Sequence, residues 1–496
     1  MSKIDFTPNY YGPNPPQPTP FDRLYAITHF IMPNFGTMDW DWQTREQVNE
    51  NLLKLKDEGG NLNDDIMMYI HVPYCKSFCH YCNFNKNHYP RQSKDRLDLY
   101  VDYLIKEIDW YMAQPYVQAR NFTAIYIGGG TPSTLSHKGM ERLFTHLKKV
   151  VPNYDVIEKT FTGEPRSFKD IEKLKLVKDF DFDRVTFGIE TFDPVLRKQI
   201  GRVDSREDID ELFTNMEKIN YKGDRCVDLM YDLPGQTFDG FVDDLDTLVN
   251  QYQPEEADLF GTVYLPYRPM HKLIIKERLE QPGTMWQLLA MREFGYDFMT
   301  KHGYHNTIAE TFSKRDAPSQ YQTAHCGRQD IIGIGCAARG NVKDMVSINP
   351  DKIEDYIANI DQYGISSTTM QSIRMDGILD RLMVMFPRFK EIDKSLLEKF
   401  KDSDRYGPAM KILKSHIKAG CVEEQADRYV VNKMGVVWHG NLQTDYMAHT
   451  LNTQGKMLLK CISDKKKHFA RDTRFGTNFV TKFILGNPEL FPLLMK

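Results

Sequence analysis

Met68-Tyr69-Ile70-His71-Val72-Pro73-Tyr74-Cys75-Lys76-Ser77-Phe78-Cys79-His80-Tyr81-Cys82 is the stretch that decides the fold. An apolar run that reads as a strand leads directly into three cysteines spaced C-x3-C-x2-C. Three thiolates on one tight loop can ligate three irons of a 4Fe–4S cluster, whose usual complement is four. The missing fourth ligand leaves one iron open, and an open metal position is where a substrate or cofactor binds. The same cysteines also suit a structural zinc site, with His71, His80 or His88 as the fourth ligand, or ordinary buried thiols. The spacing favours the cluster.

Working outward, 496 residues are enough for two or three domains. The net charge of −4 shows no concentrated basic face of the kind a nucleic-acid partner requires. Lys465-Lys466-Lys467-His468 reads as a solvated helix face. No stretch approaches the roughly 20 apolar residues of a membrane span, and the first residues lack a signal-peptide layout. Eight cysteines without export signals point to a reducing, cytoplasmic setting. Cys226, Cys326, Cys336, Cys421 and Cys461 are scattered and read as packed thiols.

Pro8, Pro13, Pro15, Pro16, Pro18 and Pro20 make the N-terminus an extended arm within an extension over 1–64. From 65 to 265 short apolar runs alternate with amphipathic ones. Strands are expected at Met67–Val72, Thr123–Ile127, Ile157–Gly163, Arg184–Gly188, Arg225–Met230 and Asp258–Val263. Helices are expected over Asp95–Gln114 and after the capping sequence Ser205-Arg206-Glu207-Asp208. Six strand–helix units imply an α/β fold, a partial (β/α)6 barrel with its chemistry at the C-terminal strand ends. A barrel-completing region follows over 266–365 and contains Gly333–Gly340. A mainly helical, winged-helix-like domain is expected over 366–445, where Lys411–Ala419 leads into a short hairpin. A helical tail is expected over 446–496.

Gly128-Gly129-Gly130-Thr131-Pro132-Ser133 follows the second strand, and consecutive glycines allow close approach to a ligand and offer unhindered N–H groups. Further on stand Glu164-Pro165-Arg166, Gly188-Ile189-Glu190-Thr191-Phe192, Gly201-Arg202 and Val227-Asp228 through Gln236-Thr237. In this order and spacing, over roughly 65–345, the set resembles the radical S-adenosylmethionine (radical SAM) enzymes. More narrowly it is similar to the family of oxygen-independent coproporphyrinogen III dehydrogenase, a heme chaperone and the class C radical SAM methyltransferases. The resemblance implies that Cys75, Cys79 and Cys82 hold a 4Fe–4S cluster whose open iron binds SAM and cleaves it to a 5′-deoxyadenosyl radical. It implies that the Gly129, Gly130, Thr131 stretch holds the methionine amino group and that Glu164 contacts the SAM carboxylate region. By the same token Glu190 and Arg202 orient SAM, Asp228 holds a ribose, and Tyr69 and Tyr81 are further cofactor contacts.

Three departures refine this. Phe84 stands where the dehydrogenase has a further cysteine. Glu190 and Asp232 stand where the family commonly has Gln and Gly. His325-Cys326-Gly327-Arg328 keeps only the histidine of the chaperone's His-x-x-Asn-type segment. These departures favour a class C methyltransferase acting on a tetrapyrrole such as heme or on another aromatic substrate. The alternatives are a coproporphyrinogen III oxidase-like enzyme and a heme chaperone without turnover. Gly333–Gly340 is a candidate for holding a second SAM. His325, Cys326 and Tyr321 are candidate substrate-side groups, and a flavodoxin or ferredoxin is the expected reductant.

Overall fold

The computed structural model describes residues 62–450, apart from 83–86, 89–94, 265–268, 284, 343–344, 368 and 373–374. Nearly all of the expected N-terminal extension, the tail beyond 450, Phe84, Cys461 and the Lys465–Lys467 run lie outside the described residues.

Each expected strand is present: β1 (Asp65–Val72), β2 (Asn121–Gly129), β3 (Glu158–Gly163), β4 (Arg184–Glu190), β5 (Asp224–Tyr231) and β6 (Glu256–Gly261). They pair in parallel, each beside the next in sequence. Strand alternation sorts the side chains of β1 into two layers. Ile66, Met68, Ile70 and Val72 belong to the large core shared with the helices. Met67 joins a smaller inner cluster with Ala124, Ala324 and Ile331, against which Tyr69, Tyr126 and Tyr321 pack. Burial on both faces explains why these strands read as near-continuous apolar runs.

The helices cover the outer face. In α1 (Asp95–Met112) the buried Leu97, Val101, Leu104 and Ile108 recur at three and four residues and form one stripe. In α2 (His137–Val150), Ser136 caps the first turn through Gly139 N. α3 (Ile171–Asp179) follows β3, and α4 (Pro194–Gln199) follows β4. α5 (Arg206–Lys218) opens with a reciprocal capping box between Ser205 and Asp208.

A further strand joins this sheet. β9 (Asp330–Ile334) lies parallel to β1 with Met67 opposite Ile331, making seven parallel strands. Every residue of β9 is buried, and Gly333 lies so close to Arg339 that a Cβ would meet its carbonyl carbon at 2.5 Å. Beyond β9 run the antiparallel β10 (Arg339–Val342), β11 (Met345–Ile348) and β12 (Thr369–Ser372). At the other edge the hairpin β7 (His305–Ile308) and β8 (Thr311–Ser313) pairs with β6 through β8. The sheet order is β12-β11-β10-β9-β1-β2-β3-β4-β5-β6-β8-β7. Helix Gln320–His325 closes the N-terminal end of the barrel, its Gln320 and Tyr321 N–H groups donating to Glu158 at the start of β3.

The C-terminal part is mainly helical. Helix Tyr406–Lys418 precedes a hairpin of Val422–Glu424 and Arg428–Val431, to which Glu391–Asp393 adds a third strand. Arg388 and His439 of this part both pair with Glu310 in the β7–β8 turn. No helix among the described residues is long and apolar enough to cross a membrane.

Candidate functional site: the cysteine loop and the strand ends

The cysteine loop leaves the C-terminal end of β1. Its first part is held by backbone: Tyr74–Cys75 pairs with Asn87–His88, Gly130 N donates to Val72 O (2.8 Å), and Thr131 N donates to Tyr74 O (2.8 Å). The Thr131 hydroxyl donates to Cys75 Sγ (3.5 Å). These bonds revise the reading of the glycine run. The N–H groups of Gly130 and Thr131 are committed to the cysteine loop and are not offered to a ligand. The glycines are needed for closeness. Gly129 sits at φ 112°, where a Cβ would lie 2.7 Å from the His71 ring, and a Cβ on Gly130 would lie 2.8 Å from Pro73 C.

The three thiols differ from a zinc site. Sulfurs on one zinc ion, with bonds of about 2.3 Å, stand about 3.8 Å apart. Among the described residues, the group with ligand atoms within 4.8 Å of one another is Cys226, Glu256 and Asp258, and not Cys75, Cys79 and Cys82. The Cys226 group already holds a cation, because Arg184 donates to both Cys226 Sγ (3.4 Å) and Glu256.

Polar groups from three strand ends converge on the loop. Arg202 donates to Cys79 Sγ (3.7 Å), to Gly188 O and to Asp204 (3.0 Å), and its Nη1 lies 3.9 Å from Glu190. Burial pushes the Cys79 thiol up and the Arg202 charge draws it back down. Glu190 ends β4 beyond a register shift, at φ 70°, and accepts the Tyr81 hydroxyl at 2.6 Å. Its carboxyl is raised by burial and lowered by Arg202. Asp232 also has positive φ (62°), which accounts for the family's glycine there, since Asp is among the few residues that tolerate this region.

Glu164 stands at the N-cap position of the short helix Pro165–Lys169 without a side-chain capping bond; it is 9% exposed, and its Oε1 has no hydrogen-bond partner among the described residues. Burial raises its carboxyl, and Arg202 and Lys76 lower it. Asp228 lies opposite Asp258 in the β5–β6 register, and burial and the Asp258 charge raise its carboxyl. A buried carboxylate oxygen without a donor, as at Glu164, is a costly arrangement that a ligand's N–H or O–H groups relieve. Glu164 and Asp228, with the Arg202 guanidinium, are the groups that could hold the ammonium, hydroxyls and carboxylate of SAM.

Not every expected residue lies here. Tyr69 bonds His71 Nδ1 (3.0 Å) and belongs to an aromatic column in which Tyr126 and Tyr321 stack at 3.8 Å and His325 continues at 5.7 Å. Cys326 is fully buried beneath it. Tyr126 and Asp258 were missed in the sequence, although inward alternation from Tyr69 and Asp228 across the sheet would have marked both. Gly333–Gly340 takes the plain strand-to-turn role: Gly335 N donates to Glu107, and a Cβ on Gly335 would lie 2.4 Å from His71 O. A cavity of about 460 Å³ opens at the opposite rim, but its charges are internally paired, Arg315 with Asp224 and Asp183 with Lys159.

Residues 69–248 match the model of the radical SAM superfamily. The heme chaperone HemW of Bacillus subtilis is 30% identical over 297 residues, 60% of this chain and 76% of that one. The oxygen-independent coproporphyrinogen III oxidase of Pseudomonas aeruginosa is 26% identical over 311 residues, 60% of this chain and 66% of that one. The solved coproporphyrinogen III oxidase (HemN) of Escherichia coli shares the fold, with a TM-score of 0.68 and 19% identity over 84% of this chain and 96% of that one. The chain belongs to the radical SAM superfamily, in the family of the HemW heme chaperones and the oxygen-independent coproporphyrinogen III oxidases.

Proposed function

We propose that the protein holds a 4Fe–4S cluster on Cys75, Cys79 and Cys82, binds SAM beside it, and uses the pair for radical chemistry on a tetrapyrrole, in the manner of a coproporphyrinogen III oxidase. The observation that carries this reading is the pair of atoms with no hydrogen-bond partner among the described residues, Glu164 Oε1 and Arg202 Nε, the latter in the guanidinium that donates to Cys79. When bound, the reduced cluster and SAM supply a carbon radical that removes a hydrogen atom from the substrate.

The chain's own residues hold and orient. Arg202 suits the SAM carboxylate because a planar guanidinium matches a carboxylate fork. Glu164 carries the wrong sign for that group and suits the ammonium instead, a revision of the expectation from resemblance. Asp228 suits ribose hydroxyls. Tyr81 and Glu190 brace Arg202 from the cluster side. One SAM is enough for these groups, and the closed packing of Gly333–Gly340 removes the support for a second. The methyl-transfer preference loses ground because the relatives at 30% and 26% identity are named a heme chaperone and a coproporphyrinogen III oxidase. A flavodoxin- or ferredoxin-like protein is the electron donor that such a cluster needs.

A second reading, heme binding without turnover, draws on the 30% identity to HemW. Anaerobic incubation of reconstituted protein with reductant, SAM and coproporphyrinogen III separates the two. Formation of 5′-deoxyadenosine with loss of carbon dioxide from the substrate is the expected result. Tight heme binding with SAM left intact transfers the protein to the chaperone reading, and S-adenosylhomocysteine beside 5′-deoxyadenosine restores methyl transfer.

A further inference from the structure

His80 stands between Cys79 and Cys82, and each of its polar groups that forms a bond is tied to another element. Its ring Nδ1–H donates to Gln199 O (2.9 Å), a bond that fixes the tautomer. Its backbone N–H donates to Ile200 O (2.8 Å), and its carbonyl accepts Met270 N (3.0 Å) from helix Pro269–Ile275. Gly201 turns beneath the ring at φ 81°. A Cβ there would lie 3.2 Å from His80 Cδ2 and Nε2 and 3.2 Å from Phe78 O. The next residue, Arg202, reaches back to Cys79 Sγ. Cys79-His80 and Gln199–Arg202 thus form a closed circuit of contacts.

We infer that His80 is a positioning residue: its ring fastens the cysteine loop to the Gln199–Arg202 segment and so fixes the cluster thiols against the arginine that serves SAM. A ring whose Nδ1–H is bonded to Gln199 O and whose Cδ2–Nε2 edge lies over Gly201 is a clamp between the two segments. The inference rests on the cluster-and-SAM reading for its purpose, but the clamp itself is a property of the iron-free chain.

Two variants test it, His80→Ala and His80→Asn. In Asn the side-chain N–H can still reach the Gln199 carbonyl. Two rates are measured: maleimide alkylation of Cys79 in iron-free protein, and chelator-driven iron release from reconstituted protein. His80→Ala is expected to raise both by about tenfold, the effect of losing one hydrogen bond, and His80→Asn to restore them toward the wild type. If His80→Ala does not fold, Gly201→Ala, whose Cβ displaces the ring, carries the same expectation. Wild-type rates in His80→Ala, or His80→Asn as fast as His80→Ala, overturn the inference. A wild type that takes up no iron, but whose alkylation still responds to His80→Ala, sinks the cluster reading and leaves the clamp standing.

Discussion

Replacing Gly129 by Ala tests whether the glycine run is there for packing. Two terms act at this position. Alanine is strained at φ 112°, for which about 1–2 kcal/mol is a fair magnitude. Its Cβ would also meet the His71 ring at 2.7 Å, and the ring, only 4% exposed and bonded to Tyr69, has little room to move; overpacking of this kind costs about 1–3 kcal/mol. The expected total is about 2–5 kcal/mol. Gly303 supplies the control: its φ is 82°, and a Cβ there would meet nothing within 4 Å. Gly303→Ala should therefore show the backbone term alone, about 1–2 kcal/mol, and any loss of unfolded-state entropy is common to both variants. Urea unfolding of both iron-free proteins, with iron uptake measured in parallel, gives the difference. Equal destabilisation, or unchanged iron uptake in Gly129→Ala, would refute the packing argument.

Other outcomes follow from the same geometry. Arg202→Gln leaves Glu190 buried without its cation and should destabilise by about 3–5 kcal/mol; it also removes the charge that lowers the Cys79 thiol, so alkylation of Cys79 in iron-free protein should move to higher pH. Asp228→Asn should weaken SAM binding at least tenfold by calorimetry while iron content stays at the wild-type level, and a loss of iron instead would assign Asp228 to the fold. Asp244 accepts bonds from Phe192 N and Thr191 next to Glu190, and burial raises its carboxyl from 3.8 to about 6. The folded state then holds the proton more tightly than the unfolded one. Stability from this group is present below about pH 4 and is lost as pH rises to about 6, by about 3 kcal/mol in all. The wild-type midpoint relative to Asp244→Asn should fall across that window, and a constant difference would show that the carboxyl is not perturbed.

The part of the fold legible in the sequence is the part written in local pattern. The parallel strands from β1 to β6 are apolar runs whose order along the chain is their order in the sheet, so adjacency needed no further information. β9 was missed as a member because nothing in Asp330-Ile331-Ile332-Gly333-Ile334 says that it pairs with β1, some 260 residues earlier. That choice is made by three-dimensional closure. The same holds in the site. Cysteine spacing named the thiols, and resemblance named Arg202 and Glu164. No spacing rule could show that Gly130 N and Thr131 N are bonded to the cysteine loop, or that His80 is bonded to Gln199 O across the barrel mouth. The Tyr126–Tyr321 stack depends on a helix that closes the barrel from 195 residues away in sequence.

The most direct test of the account is anaerobic reconstitution of wild-type protein and Cys79→Ala, with iron, sulfide and 5′-deoxyadenosine measured on the same samples. The account predicts about four irons and four sulfides per chain and reductant-dependent 5′-deoxyadenosine from SAM in the wild type, and loss of both in Cys79→Ala. Full iron in Cys79→Ala, or a wild type that binds iron without cleaving SAM under reduction, would contradict it.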